Sequence, residues 1–254
     1  ITALKGKVPD EYSYLTMCEA LYQLLLEYFD SGKNAKNRQE IELNACRYAI
    51  TFLLPATQSR IIKCEIKYQA DYYKLYEKCM AFAGRRSLEH FIDYMEMDKP
   101  KQVLGSRRGI LKPLIFYLNK ITFSKELEYI IASFPPSSGK SYTLTYYTAW
   151  LYGIDRNNSI IRMSYSDNLV NGFSLTVREI VVDERFFNVF PEFAQYGKNQ
   201  FLTKVVENWK LKDSNVQYSH MAIPRQGQIT GMRANKAMIF DDMVKGAEEA
   251  TDSQ

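Results

Sequence analysis

The chain has 254 residues, 46% hydrophobic and 24% charged, enough apolar material for one large domain or two modest ones. A net charge of +4 and a pI near 8.7 are compatible with a polyanionic partner but too slight to demand one. No apolar run approaches the ~18 residues of a transmembrane helix, and no secretory leader pattern opens the sequence.

Ile1 and the closing segment Glu248–Gln254 read as interior text of a longer protein. Four cysteines, Cys18, Cys46, Cys64 and Cys79, lie in the first third without C-x-x-C spacing, and only two histidines accompany them. A zinc site is therefore not expected. The thiols read as reduced core residues, which favours a reducing compartment such as the cytoplasm.

From Asp10 to Met97 the text is helical. Tyr14, Met17, Leu21, Leu24, Leu25 and Tyr28 recur at spacings of three and four, which predicts one buried helical face. Asp30-Ser-Gly interrupts it. Ile41–Leu54 repeats the pattern and is predicted to stop before Pro55. A long helix follows over Gln58–Ala83 and a shorter one over Ser87–Met97. Tyr68, Tyr72, Tyr73 and Tyr76 interleave with Lys67, Lys74 and Lys78, a pattern that nucleic-acid surfaces use. Glu65, Asp71 and Glu77 dilute the charge, so a helix with a tyrosine-rich core face is the preferred reading.

Past Lys99-Pro100 the text becomes α/β. Short β-branched runs at Tyr129–Phe134, Ile160–Tyr165, Val216–Ala222 and Ala237–Phe240 alternate with helical runs at Ser141–Tyr152 and Asn168–Val182. This predicts a mostly parallel sheet flanked by helices. The expected division is a helical subdomain over residues 1–100, lid-like or partner-docking, and an α/β core over residues 101–254.

Two motifs carry chemistry. The first is the loop Pro135–Ser141, placed between a predicted strand and a helix. Pro136, Ser137, Ser138, Gly139, Lys140, Ser141 and Tyr142 are its nucleotide-binding candidates. Backbone amides of Ser137, Ser138 and Gly139 can cradle phosphate oxygens, and the helix N-terminus adds positive potential. Lys140 reaches the β- and γ-phosphates, and the Ser141 hydroxyl ligates Mg²⁺. Phe134 stands where the G-x-x-x-x-G-K-[ST] pattern has its first glycine. The alternative is a surface turn with a solvated lysine. The second motif is Ala237-Met-Ile-Phe-Asp-Asp242, a buried strand ending in two acids, at the edge where α/β sheets gather ligands. Asp241 is the expected Mg²⁺ carboxylate. Asp242 is expected to polarise the attacking water, with Glu248 or Glu249 as substitutes. Read alone, the two acids could simply open a loop or cap a helix.

Over residues 105–254 the chain resembles the large terminase subunit, the DNA-packaging ATPase of tailed bacteriophages. Four segments carry the resemblance: Phe134-Pro-Pro-Ser-Ser-Gly-Lys-Ser141; Ile160-Ile-Arg-Met-Ser-Tyr-Ser-Asp-Asn-Leu-Val-Asn-Gly-Phe-Ser174; Phe186-Phe-Asn-Val-Phe-Pro191; and Ile229-Thr-Gly-Met-Arg-Ala-Asn-Lys-Ala-Met-Ile-Phe-Asp-Asp242. The second and fourth are the specific ones. The resemblance implies a P-loop NTPase fold that hydrolyses ATP with Mg²⁺ to move double-stranded DNA into a procapsid. The implied partners are the portal protein, the small terminase subunit and further copies in a ring on the portal. The implied location is the host cell cytoplasm, with no membrane. The family's nuclease domain and its coupling motif fall beyond Gln254. Many relatives place an arginine where this chain has Pro136 or Ser137, which leaves Arg162, Arg178 and Arg233 as candidates for a transition-state arginine acting in trans, with ordinary surface charge or a salt bridge the preferred reading for any one of them. Val103–Lys112 corresponds to the base-contacting segment, with Arg107 or Arg108 against adenine, DNA phosphate or solvent. A helicase-like P-loop ATPase and a non-hydrolysing interaction module are the alternatives.

Overall fold

The structure, a computed structural model, describes residues 10–102, 104–203, 205–227 and 231–243. The chain divides into two units, Ile1–Asp98 with Asn119–Tyr129, and Lys99–Leu118 with Ile130–Gln254.

The first unit is helical: α1 (Glu11–Ser31), α2 (Arg38–Tyr48), α3 (Leu54–Lys63), α4 (Ile66–Gly84) and α5 (Leu88–Glu96). Asp10 starts α1 by accepting the Ser13 amide at 2.8 Å, a side-chain cap for an otherwise orphaned donor. The face of α1 that packs inward overlaps the predicted one only in part, through Leu25. Leu15, Cys18 and Phe29 are buried, whereas Met17, Leu21, Leu24 and Tyr28 are exposed. Apolar residues surround most of this helix, so spacing alone fits two faces. The bundle uses the one that brings Phe29 to Ala45, Cys46, Ala49 and Phe82.

Pro55 does not end a helix. Residues Ala49–Leu53 form a π turn, and α3 opens with Pro55 in its first turn, where a missing N–H leaves nothing unpaired. The predicted helix over Gln58–Ala83 is interrupted at Cys64, whose backbone is extended at φ −79° and ψ 167°. That break lets α3 fold back on α4. Tyr72 of α4 is buried, with its hydroxyl on the Glu11 carbonyl at 3.1 Å, so it belongs to the core and not to a stacking surface. All four cysteines are buried and free.

The second unit is α/β. It holds the residues of α6 (Arg108–Phe123) through Leu118, then α7 (Lys140–Ile154), β1 (Ile160–Ser164), α8 (Asp167–Val181), α9 (Glu184–Val189), β2 (Asn208–Trp209), β3 (His220–Pro224) and β4 (Ala237–Phe240). The sheet is small and mixed, in the order β2-β3-β1-β4. β1 runs parallel to β3 and β4, and β2 runs antiparallel to β3. Ile161 and Met163 face one side with Met221 and Ile223, so the alternation of a strand turns Ile160, Arg162 and Ser164 to the other. α7 covers that second face, where Thr145 and Ser141 meet Arg162. Gly153 of α7 lies under Phe190: a Cβ there would stand 2.1 Å from the ring, closer than any side chain tolerates.

The strand predicted at Tyr129–Phe134 does not form. Residues 130–135 pair with no strand and Ile131 is 90% exposed. β-branched residues favour a strand only where a ladder partner and a packing surface exist, and among the described residues the sheet ends at β4. The run predicted over Val216–Ala222 enters the sheet only at His220, where its register with Ile160 begins. α6 and α9 are additions. The segment expected to contact a base instead leads into α6, with Arg107 exposed and Arg108 half-buried. Val103, Ile229, Thr230, Glu248 and Glu249 lie outside the described residues. No helix among the described residues is long and apolar enough to cross a membrane.

Candidate functional site

The two motifs converge although Lys140 and Asp242 lie 102 positions apart. β4 delivers Asp241 and Asp242 at its C-terminal end, beside the end of β1: the Asp241 amide donates to the Met163 carbonyl at 2.9 Å, and the Tyr165 amide to the Asp242 carbonyl at 3.0 Å. α7 delivers Lys140 and Ser141 in its first turn. The Lys140 ammonium stands 3.0 Å from Asp241 Oδ1 and 2.9 Å from Asp242 Oδ1. The Ser141 hydroxyl also bears on the Asp241 carboxylate.

The loop ahead of α7 bends through two left-handed residues, Ser137 at φ 60° and Gly139 at φ 94°. Gly139 caps α7 in that conformation, which glycine adopts without Cβ strain. Pro136 and Ser137 are exposed and Ser138 is buried. The Ser138 amide donates back to the Pro135 carbonyl at 3.3 Å, so it braces the turn and is not available to a phosphate in this conformation. Tyr142 is 58% exposed, one residue beyond Ser141.

The electrostatics of the cluster are asymmetric. Burial alone would lower the Lys140 pKa, but the hydrogen bonds it donates to Asp242 and Asp241, and their charges, outweigh it and hold the ammonium above the ordinary lysine value. Burial pushes Asp241 up, and Arg162, Lys140 and Ser141 together bring it below the usual carboxylate range. Asp241 is therefore a buried anion and Lys140 a fixed cation at neutral pH. Asp242 takes a left-handed backbone at φ 50°, tolerable for aspartate, and its side chain is 59% exposed.

Arg162 needs correction as a trans arginine. It is wholly buried. Its Nη2 donates to Asp241 Oδ2 at 2.9 Å and to the Ser141 carbonyl at 3.1 Å, and its Nη1 to Thr145 Oγ1 at 2.7 Å. Its guanidinium lies 3.8 Å from the Phe173 ring centre. A side chain so enclosed cannot reach another subunit. Arg178 is half-buried on α8, donating to the Val205 carbonyl at 3.2 Å and covering the Phe201 ring. Arg233 is exposed, ahead of β4 and so at the opposite end of that strand from the acids. The signal that could have assigned Arg162 is its setting in Ile160-Ile-Arg-Met-Ser164: an ionic side chain in an apolar run is buried only with a partner.

Two buried polar atoms in this cluster have no hydrogen-bond partner, Arg162 Nε and Asp241 Oδ1. Oδ1 is instead held by the Lys140 ammonium at 3.0 Å. A buried carboxylate oxygen held only by an exchangeable lysine, next to a serine hydroxyl, fits a hard cation of the Mg²⁺ kind. No group of three or more His, Cys, Asp or Glu that could hold a metal ion occurs among the described residues. An ion here would draw its remaining ligands from water and a bound phosphate. Comparison with family models, with curated proteins and with solved structures returned no match, so the functional reading rests on this geometry and on the sequence.

Proposed function

We propose that the chain is a P-loop ATPase of the viral DNA-packaging type, hydrolysing ATP to move double-stranded DNA. The observation that carries the ATPase reading is the meeting of Lys140, Ser141, Asp241 and Asp242 at the first turn of α7. The motor reading, with the portal protein, the small terminase subunit and a ring of copies as partners, rests on the resemblance of residues 105–254 to the large terminase subunit.

The chemistry follows from the charges. An incoming triphosphate offers Lys140 new anionic partners, so the ammonium can exchange Asp242 for β- and γ-phosphate oxygens. The left-handed turns at Ser137 and Gly139 and the N-terminus of α7 favour the same anion. Ser141 and Asp241 would hold the magnesium ion, which would neutralise charge developing on the phosphates. Asp242, released from Lys140 and open to solvent, is placed to orient the attacking water and accept its proton.

The test is an ATPase assay on wild type, Lys140→Ala and Asp242→Asn. Wild-type turnover that both substitutions abolish supports the reading. A wild type that hydrolyses no ATP, with both variants binding nucleotide as wild type does, refutes it.

A further inference from the structure

We infer that Arg162 is a positioning residue that sets how tightly this site holds its divalent cation. The inference rests on the ATPase reading above and assigns a role within the same site.

Arg162 touches three acceptors on two elements. On the acid strand it takes Asp241 Oδ2. On α7 it takes the Ser141 carbonyl and the Thr145 hydroxyl, one and two turns into the helix. Ser141 and Asp241 are the two side chains proposed to share the cation, so a single rigid fork spans both ligands from behind. The planar guanidinium fixes the angle as well as the distance, which a point-charge ammonium cannot do. By occupying Oδ2, it leaves Oδ1 as the carboxylate oxygen that meets Lys140 at 3.0 Å. Phe173 backs the guanidinium face at 3.8 Å, which restricts its rotation and supports the charge. Groups that orient a ligand in this way raise metal affinity without touching the metal.

The deciding measurement is Mn²⁺ binding by electron paramagnetic resonance, with a slowly hydrolysed ATP analogue at saturation. Nucleotide affinity is measured separately in EDTA, and thermal unfolding is followed on each protein. Arg162→Lys keeps the charge but loses the fork. It is expected to weaken Mn²⁺ affinity by about 10-fold or more, with metal-free nucleotide affinity within about 2-fold of wild type. Thr145→Val removes the Nη1 acceptor, together with the hydroxyl's own bond to the Ser141 carbonyl at 2.8 Å, and leaves the Asp241 contact. It is expected to weaken Mn²⁺ by a smaller factor, about 3-fold, and serves as the deciding variant if Arg162→Lys does not fold. A lowered melting temperature with Mn²⁺ affinity unchanged in the folded variants would make Arg162 a structural ion pair and overturn the inference alone. A wild-type protein that binds neither nucleotide nor Mn²⁺–nucleotide would overturn the ATPase reading and this inference together.

Discussion

Each unit of the chain buries one guanidinium against one carboxylate, and the two pairs are finished differently. In the helical unit, Arg86 donates to Glu42 through Nε at 3.0 Å and also through Nη2, while its Nη1 takes the Arg85 carbonyl at 2.7 Å. Arg38 takes the other Glu42 oxygen at 2.8 Å. In the α/β unit, Arg162 Nε has no hydrogen-bond partner, and Lys140 is shared between Asp241 Oδ1 and a second acid, Asp242. A buried pair with its hydrogen bonds complete pins a fold. A buried cluster whose lysine is shared between two acids can exchange partners, which is what the proposed nucleotide site requires.

That contrast can be broken by substitutions that move one property and spare the other. The largest effect is expected from Asp242→Asn, which keeps shape but cannot accept a proton. Turnover should fall by about 100- to 10,000-fold, with nucleotide affinity retained in a binding titration. Comparable loss of binding would show that Asp242 is only a partner for Lys140. In the helical unit, Glu42→Ala should leave Arg86 buried and unpaired and cost about 3–5 kcal/mol in chemical denaturation. A Glu42→Met, Arg86→Met double variant should recover much of that. Equal destabilisation by single and double variants would remove the pinning role.

Lys140→Ala should lower turnover by about 30- to 1000-fold, or ~2–4 kcal/mol of transition-state stabilisation, with a melting temperature close to wild type. A stability loss like that of Glu42→Ala would instead make the two clusters alike.

The smallest effect concerns pH. His220 is fully buried, stacked on Trp209 at 5.0 Å, with Nδ1 3.0 Å from the Tyr152 hydroxyl. Burial, and then the Arg162 charge, lower its pKa from 6.5 to about 3. The ring stays neutral in the fold and takes up a proton when unfolded, so its stabilising share is present above pH 6.5 and is lost as pH falls toward 3. Between pH 7 and pH 5 the unfolding free energy should drop by about 2 kcal/mol on this account. His220→Phe should flatten that part of the profile in thermal melts across pH. An unchanged slope would assign the acid sensitivity elsewhere.

The difference between the units also explains what the sequence discloses. Gly139-Lys-Ser141 and the acid-ended run before Asp241 and Asp242 are local patterns, each tied to one backbone event, the start of a helix or the end of a strand. They are legible without knowing the neighbours. Arg162 is not, because its partners lie on α7 and beyond β4 and depend on which face of β1 it occupies. Residues 129–134 look like a strand by composition, but pairing is a property of what lies alongside. The same limit applies to α1: an apolar repeat through Met17, Leu21, Leu24 and Tyr28 is as regular as the one through Leu15, Cys18 and Phe29. Only the arrival of Ala45, Cys46 and Phe82 decides between them.

The most direct measurement of the central claim is a crystal structure of the chain with a non-hydrolysable ATP analogue and Mn²⁺, read by anomalous scattering. The metal is expected about 2.1 Å from Ser141 Oγ, on the Oδ1 side of Asp241, with Lys140 Nζ moved from Asp242 onto the phosphates. Nucleotide bound elsewhere on the chain, with Lys140 still held between Asp241 and Asp242, would contradict the account.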